Sequence, residues 1–156
     1  MDDLERLVAE RECARLTHRY CRFADFGQAS RLADLFTEDG VFSLPGRVLT
    51  GRSEIATTFA EREALHDLRT AHLCSTIDVE VLDRHAARGW VYLSLHRRWR
   101  EAGSSGPARS SLPAVVAAYE DEYSVVAGAW LIASRTQHVL FEDPDDPGWN
   151  RPSAGR

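Results

Sequence analysis

The sequence predicts an α+β domain in which helices fill the first half and a meander of long antiparallel strands fills the second, with the sheet curving around the helices as a cone. Two observations carry this. From Asp2 or Asp3 to about Ala24 the chain avoids Gly and Pro, while Cys13, Leu16, Tyr20 and Phe23 recur at three- and four-residue steps, the period of a helix with one buried face. After Arg69 the period shortens to two, the spacing of strands whose alternate side chains share a face. Long twisted strands that cover a compact apolar face must curl, and the curl encloses an interior.

The elements follow in order. Asp2 or Asp3 caps the first helix, and Gln28 to Phe36 gives a short second helix through Leu32, Leu35 and Phe36. The polar turn Thr37-Glu38-Asp39-Gly40 stops it, and Val41 to Leu49 reads as a strand or tight hairpin interrupted by Pro45-Gly46. A third helix opens at Gly51-Arg52-Ser53-Glu54-Ile55, with Ser53 as its N-cap and Ile55 and Phe59 on its apolar side. Strands are expected over 73–82 and 90–99, joined by Asp83-Arg84-His85-Ala86, with Val91, Leu93, Leu95, Arg97 and Trp99 on one face. A flexible loop over 101–111 leads to strands 113–126 and 130–141, joined at Ala127-Gly128-Ala129. Residues 1–142 are thus expected to form one domain, and 143–156 an extended tail with little capacity to fold alone.

Composition narrows the function classes. The chain has 156 residues, 44% of them hydrophobic, enough for one real core. Net charge is -5, and 19 basic residues are scattered among 24 acidic ones without a basic stripe, which argues against nucleic acid as a partner. The cluster Arg97-Arg98-Trp99-Arg100 reads as a strand end with solvated charges. Cys13, Cys21 and Cys74 have neither disulfide nor zinc spacing and suit a reducing cytoplasm. No signal core and no stretch of ~20 apolar residues is present, so no membrane partner is expected. No phosphate loop, dinucleotide glycine pattern or metal-ligand spacing occurs, so neither a cofactor nor a metal is expected.

Asp25 stands out. It sits alone at the end of the first helix, just before the second begins, where partial desolvation is expected to raise its pKa and make it a base near neutrality. Its plain alternative is a carboxylate that closes the interhelical turn. On strand 113–126, Tyr119, Asp121 and Tyr123 share one face and Glu120 and Glu122 the other; which set points inward is open from sequence. Arg135 reads either as a buried cation for a substrate oxygen or as a surface residue.

The order of Arg19-Tyr20, Asp25, Leu35-Phe36-Thr37-Glu38-Asp39-Gly40-Val41, Gly51-Arg52-Ser53-Glu54-Ile55, His72, Tyr119-Glu120-Asp121-Glu122-Tyr123 and Trp130-Leu131-Ile132 resembles the SnoaL-like branch of the nuclear transport factor 2-like superfamily over most of residues 4 to 141. The resemblance implies a cone-shaped fold, frequent homodimerisation, and a deep pocket for a small hydrophobic molecule. Scytalone dehydratase-like and dehydrochlorinase-like members place an Asp at the end of the first helix and a His at the start of a core strand, positions held here by Asp25 and His72, with Tyr20 lining the pocket. In such enzymes His is the base or acid and Asp orients and charges it. The resemblance therefore implies a cofactor-independent lyase or isomerase of dehydratase or cyclase type acting on a small apolar, cyclic substrate, in which His72, Asp25 and Tyr20 are catalytic; Tyr119, Asp121 and Arg135 are the candidates for substrate contact from the strand reading. A noncatalytic binding or assembly module, similar to the small subunit of ring-hydroxylating oxygenases, is the alternative; there the Asp25 and His72 side chains would not meet and the interior would be filled by core side chains, and the plain reading of His72 is a structural imidazole bonded to a carbonyl at the strand start. Two departures touch the pocket: Thr76 stands where Asn is frequent after the His, and Gln28 where a second Asp is common.

Overall fold

A computed structural model describes residues 1–101, 103–109 and 112–149. Helix α1 spans Asp3–Asp25 and starts with a reciprocal cap: the Glu5 amide donates to Asp2 Oδ1 at 2.8 Å, and the Asp2 amide to Glu5 Oε2 at 2.9 Å. Its buried stripe is Ala9, Cys13, Leu16, Thr17, Tyr20, Phe23 and Ala24, the face the periodicity predicts. The expected second helix is a 3₁₀ segment, Ala29–Leu35, tied at its start by the Ser30 amide donating to Glu63. Seven residues with four buried apolar or small side chains favour the tighter, shorter winding.

Strand β1, Phe36–Leu44, begins five residues earlier than the sequence reading placed it, because Phe36 already pairs with Ile132. It turns back at Pro45-Gly46 into β2, Arg47–Thr50. Helix α2, Arg52–Glu63, is capped by Gly51 rather than Ser53. Gly51 takes φ +84°, its amide donates to the Gly40 carbonyl at 2.8 Å, and the Glu54 carboxylate receives the Thr50 amide.

The remaining strands are β3 (Leu68–Val81), β4 (Ala86–Trp99), β5 (Val115–Val126) and β6 (Ala129–Glu142). The six-stranded sheet has the order β2-β1-β6-β5-β4-β3. It is mixed rather than wholly antiparallel: β1 runs parallel to β6, since the crossing from one to the other is the whole rest of the domain, and every other neighbouring pair is antiparallel. β3 and β4 both start earlier than expected. At Gly89 any Cβ would lie 2.8 Å from the Tyr123 ring, so only glycine lets β4 continue beside β5 there. The loop expected over 101–111 falls partly outside the described residues, at 102, 110 and 111, as does the tail from 150.

A bulge decides which residues of β3 see the interior. Thr76 adopts φ +51°, and the register with β4 slips between Ser75 and Ile77. Before the slip Thr70, His72 and Cys74 point inward; after it Ile77, Val79 and Val81 do, packed on the same core. The core lies between the concave sheet face and α1, the 3₁₀ segment and α2, around Leu32, Leu35, Phe36, Phe42, Leu93 and Ile132. The inward set on β5 is Tyr119, Asp121 and Tyr123, while Glu120 and Glu122 face out.

Candidate active site

Between the helices and the sheet lies a cavity of about 290 Å³, with walls from α1, the 3₁₀ segment, α2, five strands and the segment after β6. Tyr20, Phe59, Arg62, His72, Tyr119 and Trp149 are on its walls. Asp25 closes α1 and sends its carboxylate to β3. The His72 Nδ1 lies 2.6 Å from Asp25 Oδ1, the His72 backbone amide donates to Oδ2 at 2.7 Å, and the Thr70 hydroxyl donates to Oδ1 at 2.8 Å. Both ends of the carboxylate are thus held, and Asp25 and His72 side chains are 10% and 11% exposed. The carboxylate stands behind the imidazole, at the edge of a second depression bordered by Gly27 and Leu65, while the ring faces the main cavity.

Burial pushes the Asp25 carboxyl up, but the hydrogen bond and charge of His72, its backbone amide and the Thr70 hydroxyl outweigh it and hold Asp25 below the usual carboxylate range. The raised pKa expected from sequence is therefore corrected. Asp25 is an ionised acceptor, not a base. An ionised acceptor requires Nδ1 of His72 to donate, which in the neutral imidazole leaves the lone pair on Nε2 of a ring that lines the cavity.

Tyr20, 3% exposed, meets the His72 ring edge-on at 5.7 Å, and its hydroxyl accepts from Tyr119 at 3.5 Å. Burial drives both phenols well above their usual pKa, with Arg135 pulling the other way, so both stay protonated donors at working pH. Of the residues expected to contact substrate, Tyr119 lines the cavity, but Asp121 and Arg135 are not on its wall. They form a fully buried pair, Arg135 Nε donating to Asp121 Oδ1 at 2.7 Å and Nη2 to Oδ2 at 2.6 Å. Tyr123 donates to the same carboxylate, and Arg135 also donates to Thr17. The guanidinium stacks 4.6 Å from the Tyr20 ring centre and 4.4 Å from that of Tyr119, so it supports the phenols from behind.

Several wall residues were not singled out from sequence. Thr70 is two residues before His72, hence on its face of the strand, and Arg62 continues the buried stripe of Ile55 and Phe59 at helical spacing; both signals were there to read. Arg97 and Arg100 are not solvated as expected: Arg97 pairs with Asp146 and Arg100 with Asp67. Trp149 returns to the cavity wall and packs edge-on against Phe59 at 5.8 Å. Thr76 and Gln28, where the resemblance shows departures, are not on the cavity wall. Among the described residues no three His, Cys, Asp or Glu side chains gather to hold a metal ion, and no helix is long and apolar enough to cross a membrane.

The family profile of the SnoaL-like domain matches residues 5–136. The chain belongs to the SnoaL-like family. By sequence, no curated protein matches this SnoaL-like chain. Among solved structures it is similar to a scytalone dehydratase candidate from Novosphingobium aromaticivorans, with 22% identity, 88% of this chain and 87% of that one covered, and a TM-score of 0.73. It is also similar to the hexachlorocyclohexane dehydrochlorinase LinA-type3 from Novosphingobium barchaimii, with 18% identity, 90% and 92% covered and a TM-score of 0.73. A third likeness is to a candidate aromatic ring hydroxylase from N. aromaticivorans, with 20% identity, 85% and 89% covered and a TM-score of 0.70. At these identities the likenesses establish the fold of this SnoaL-like protein.

Proposed function

We propose that the protein is a cofactor-independent lyase or isomerase that removes a proton beside an activating group of a small cyclic substrate. The observation that carries this reading is the 2.6 Å contact of Asp25 with His72, whose ring stands on the wall of an open cavity. His72 Nε2 takes the proton, and Asp25 stabilises the imidazolium that forms. The electron pair moves into the activating group, where Tyr20 donates a hydrogen bond to the developing charge or the leaving group. Proton return from His72 to the leaving group completes an elimination; return to another carbon completes an isomerisation. Positioning in the cavity must supply most of the rate, since a general base contributes roughly 10²- to 10⁴-fold.

The binding-module reading needs Asp25 and His72 apart and the interior filled. Their contact and the open cavity favour the enzyme. The test is a panel of cyclic β-hydroxy ketones and hydroaromatic alcohols incubated in D₂O, followed by ultraviolet absorbance for elimination and by NMR for deuterium uptake. Turnover that disappears in both His72→Gln and Asp25→Asn is expected. A folded His72→Gln variant that turns over at the native rate would overturn the mechanism.

A further inference from the structure

We infer that the cavity takes a substrate bearing an anionic oxygen, a carboxylate or an acidic enol or phenol, and that Arg62 receives it. This deepens the reading above and rests on the same cavity being the substrate site. Arg62 lies in the last turn of α2, is 8% exposed, and borders both the main cavity and the depression behind Asp25. Its guanidinium donates one hydrogen bond, from Nη2 to Thr70 Oγ1 at 3.1 Å. Among the described residues no carboxylate forms an ion pair with it, and the residue borders open space on both sides.

The charges of the other arginines at the interior are paired, although among the described residues Arg135 Nη1 is buried without a hydrogen-bond partner. Arg97, on the same cavity wall, is neutralised by Asp146, and Arg135 by Asp121. The carboxylate nearest Arg62 along the hydrogen bonds is Asp25, one Thr70 hydroxyl away and already receiving three donors. Helix α2 therefore delivers to the cavity a cation with no direct ion pair among the described residues, its nearest opposing charge being Asp25 beyond the Thr70 hydroxyl. Burying a guanidinium without a counter-ion is costly, and a ligand oxyanion held by two parallel N–H bonds removes that cost.

The placement also fits the chemistry. Thr70 and His72 are neighbours on one face of β3, and Arg62 is anchored to Thr70, so cation and base share one wall. A substrate whose carboxylate rests on Arg62 turns the adjacent C–H toward His72. When the C–H bond breaks, the proton goes to Nε2 and the electron pair to the oxygen on Arg62, giving an enolate. The enolate then expels the leaving group from the neighbouring carbon, and His72 returns the proton to it.

The probes are 2-naphthoate and its neutral isostere 2-naphthamide, titrated calorimetrically into the full-length protein. The native protein is expected to bind naphthoate at least about tenfold more tightly than the amide. Arg62→Gln should reduce that preference to less than about twofold, whereas Arg62→Lys, which keeps the charge but not the two parallel N–H bonds, should keep part of it and His72→Gln most of it. Equal binding of the two probes, binding of neither, a preference unchanged in Arg62→Gln, or its loss in His72→Gln would overturn the assignment. If Arg62→Gln does not fold by circular dichroism, the native protein and Arg62→Lys decide: indifference to probe charge in either contradicts it. The two readings fail separately. Naphthoate preference without any His72-dependent turnover removes the lyase and leaves the anion site; His72-dependent turnover without the preference does the reverse.

Discussion

Two carboxylates inside this fold, Asp25 and Asp121, have much the same neighbours on paper and opposite fates. Asp121 meets a guanidinium across β5 and β6 with no exposed surface on either side chain, and Tyr123 completes its shell. Asp25 meets an imidazole from the end of α1, and that imidazole opens onto a cavity. The first pair is permanent because guanidinium does not titrate in proteins, and nothing can reach it. The second couples a fixed anion to a group that exchanges protons in a reachable space. Access and a titratable partner, not burial of charge alone, separate a candidate for chemistry from a brace.

The comparison can be broken most forcefully at the brace. Asp121→Ala leaves Arg135 charged and unpaired in the core, and is expected to cost about 3–5 kcal/mol in urea unfolding. Asp121→Leu combined with Arg135→Met removes both charges and should be more stable than Asp121→Ala alone. A loss below about 1 kcal/mol in Asp121→Ala would mean the pair is not the dry contact described.

Asp25→Asn tests the other half. It should lose activity by roughly 10²- to 10⁴-fold while costing only about 1–2 kcal/mol of stability, because Asn keeps an acceptor and the site is partly open. A larger stability loss than in Asp121→Ala would reverse the assignment of the two pairs. The pH dependence sharpens this. Asp25 titrates below its ordinary value of 3.8 in the folded protein. A carboxyl depressed on folding adds stability above its unfolded pKa, and that contribution disappears as pH falls through the folded value. The stability gap between native protein and Asp25→Asn should hold steady from pH 6 to about 4 and shrink below that. A gap that widens as pH falls below about 4 would contradict the sign. The smallest effect belongs to Tyr20→Phe, expected to slow turnover by less than about tenfold, because the Tyr119 hydroxyl remains beside the vacated position.

Much of the fold was legible because periodicity reports burial. The buried stripe of α1 and the inward face of β4 follow from spacing alone. Strand starts were less legible: Ala86 to Gly89 carries no β-branched residue, and β1 begins at a Phe36 that suits a helix end equally well. The parallel pairing of β1 with β6 is a long-range choice that no local pattern records. In the site, the places of Asp25 and His72 could be read, but the sign of the Asp25 shift could not. Burial was foreseeable from its position between helices; the three donors that overrule burial come from β3, 45 to 47 residues away. Asp121 and Arg135 were candidates for substrate contact whose direction the sequence left open; they do face inward, yet inward on this sheet includes a dry layer beneath the Tyr20 and Tyr119 rings.

The most direct test needs no substrate. Nitrogen-15 NMR of the protein labelled at histidine reports which ring nitrogen of neutral His72 bears hydrogen. The account predicts hydrogen on Nδ1, donated to Asp25, with Nε2 unprotonated and toward the cavity. Hydrogen on Nε2 with a bare Nδ1 would contradict it, since Asp25 would then be the protonated partner and His72 would have no base to offer.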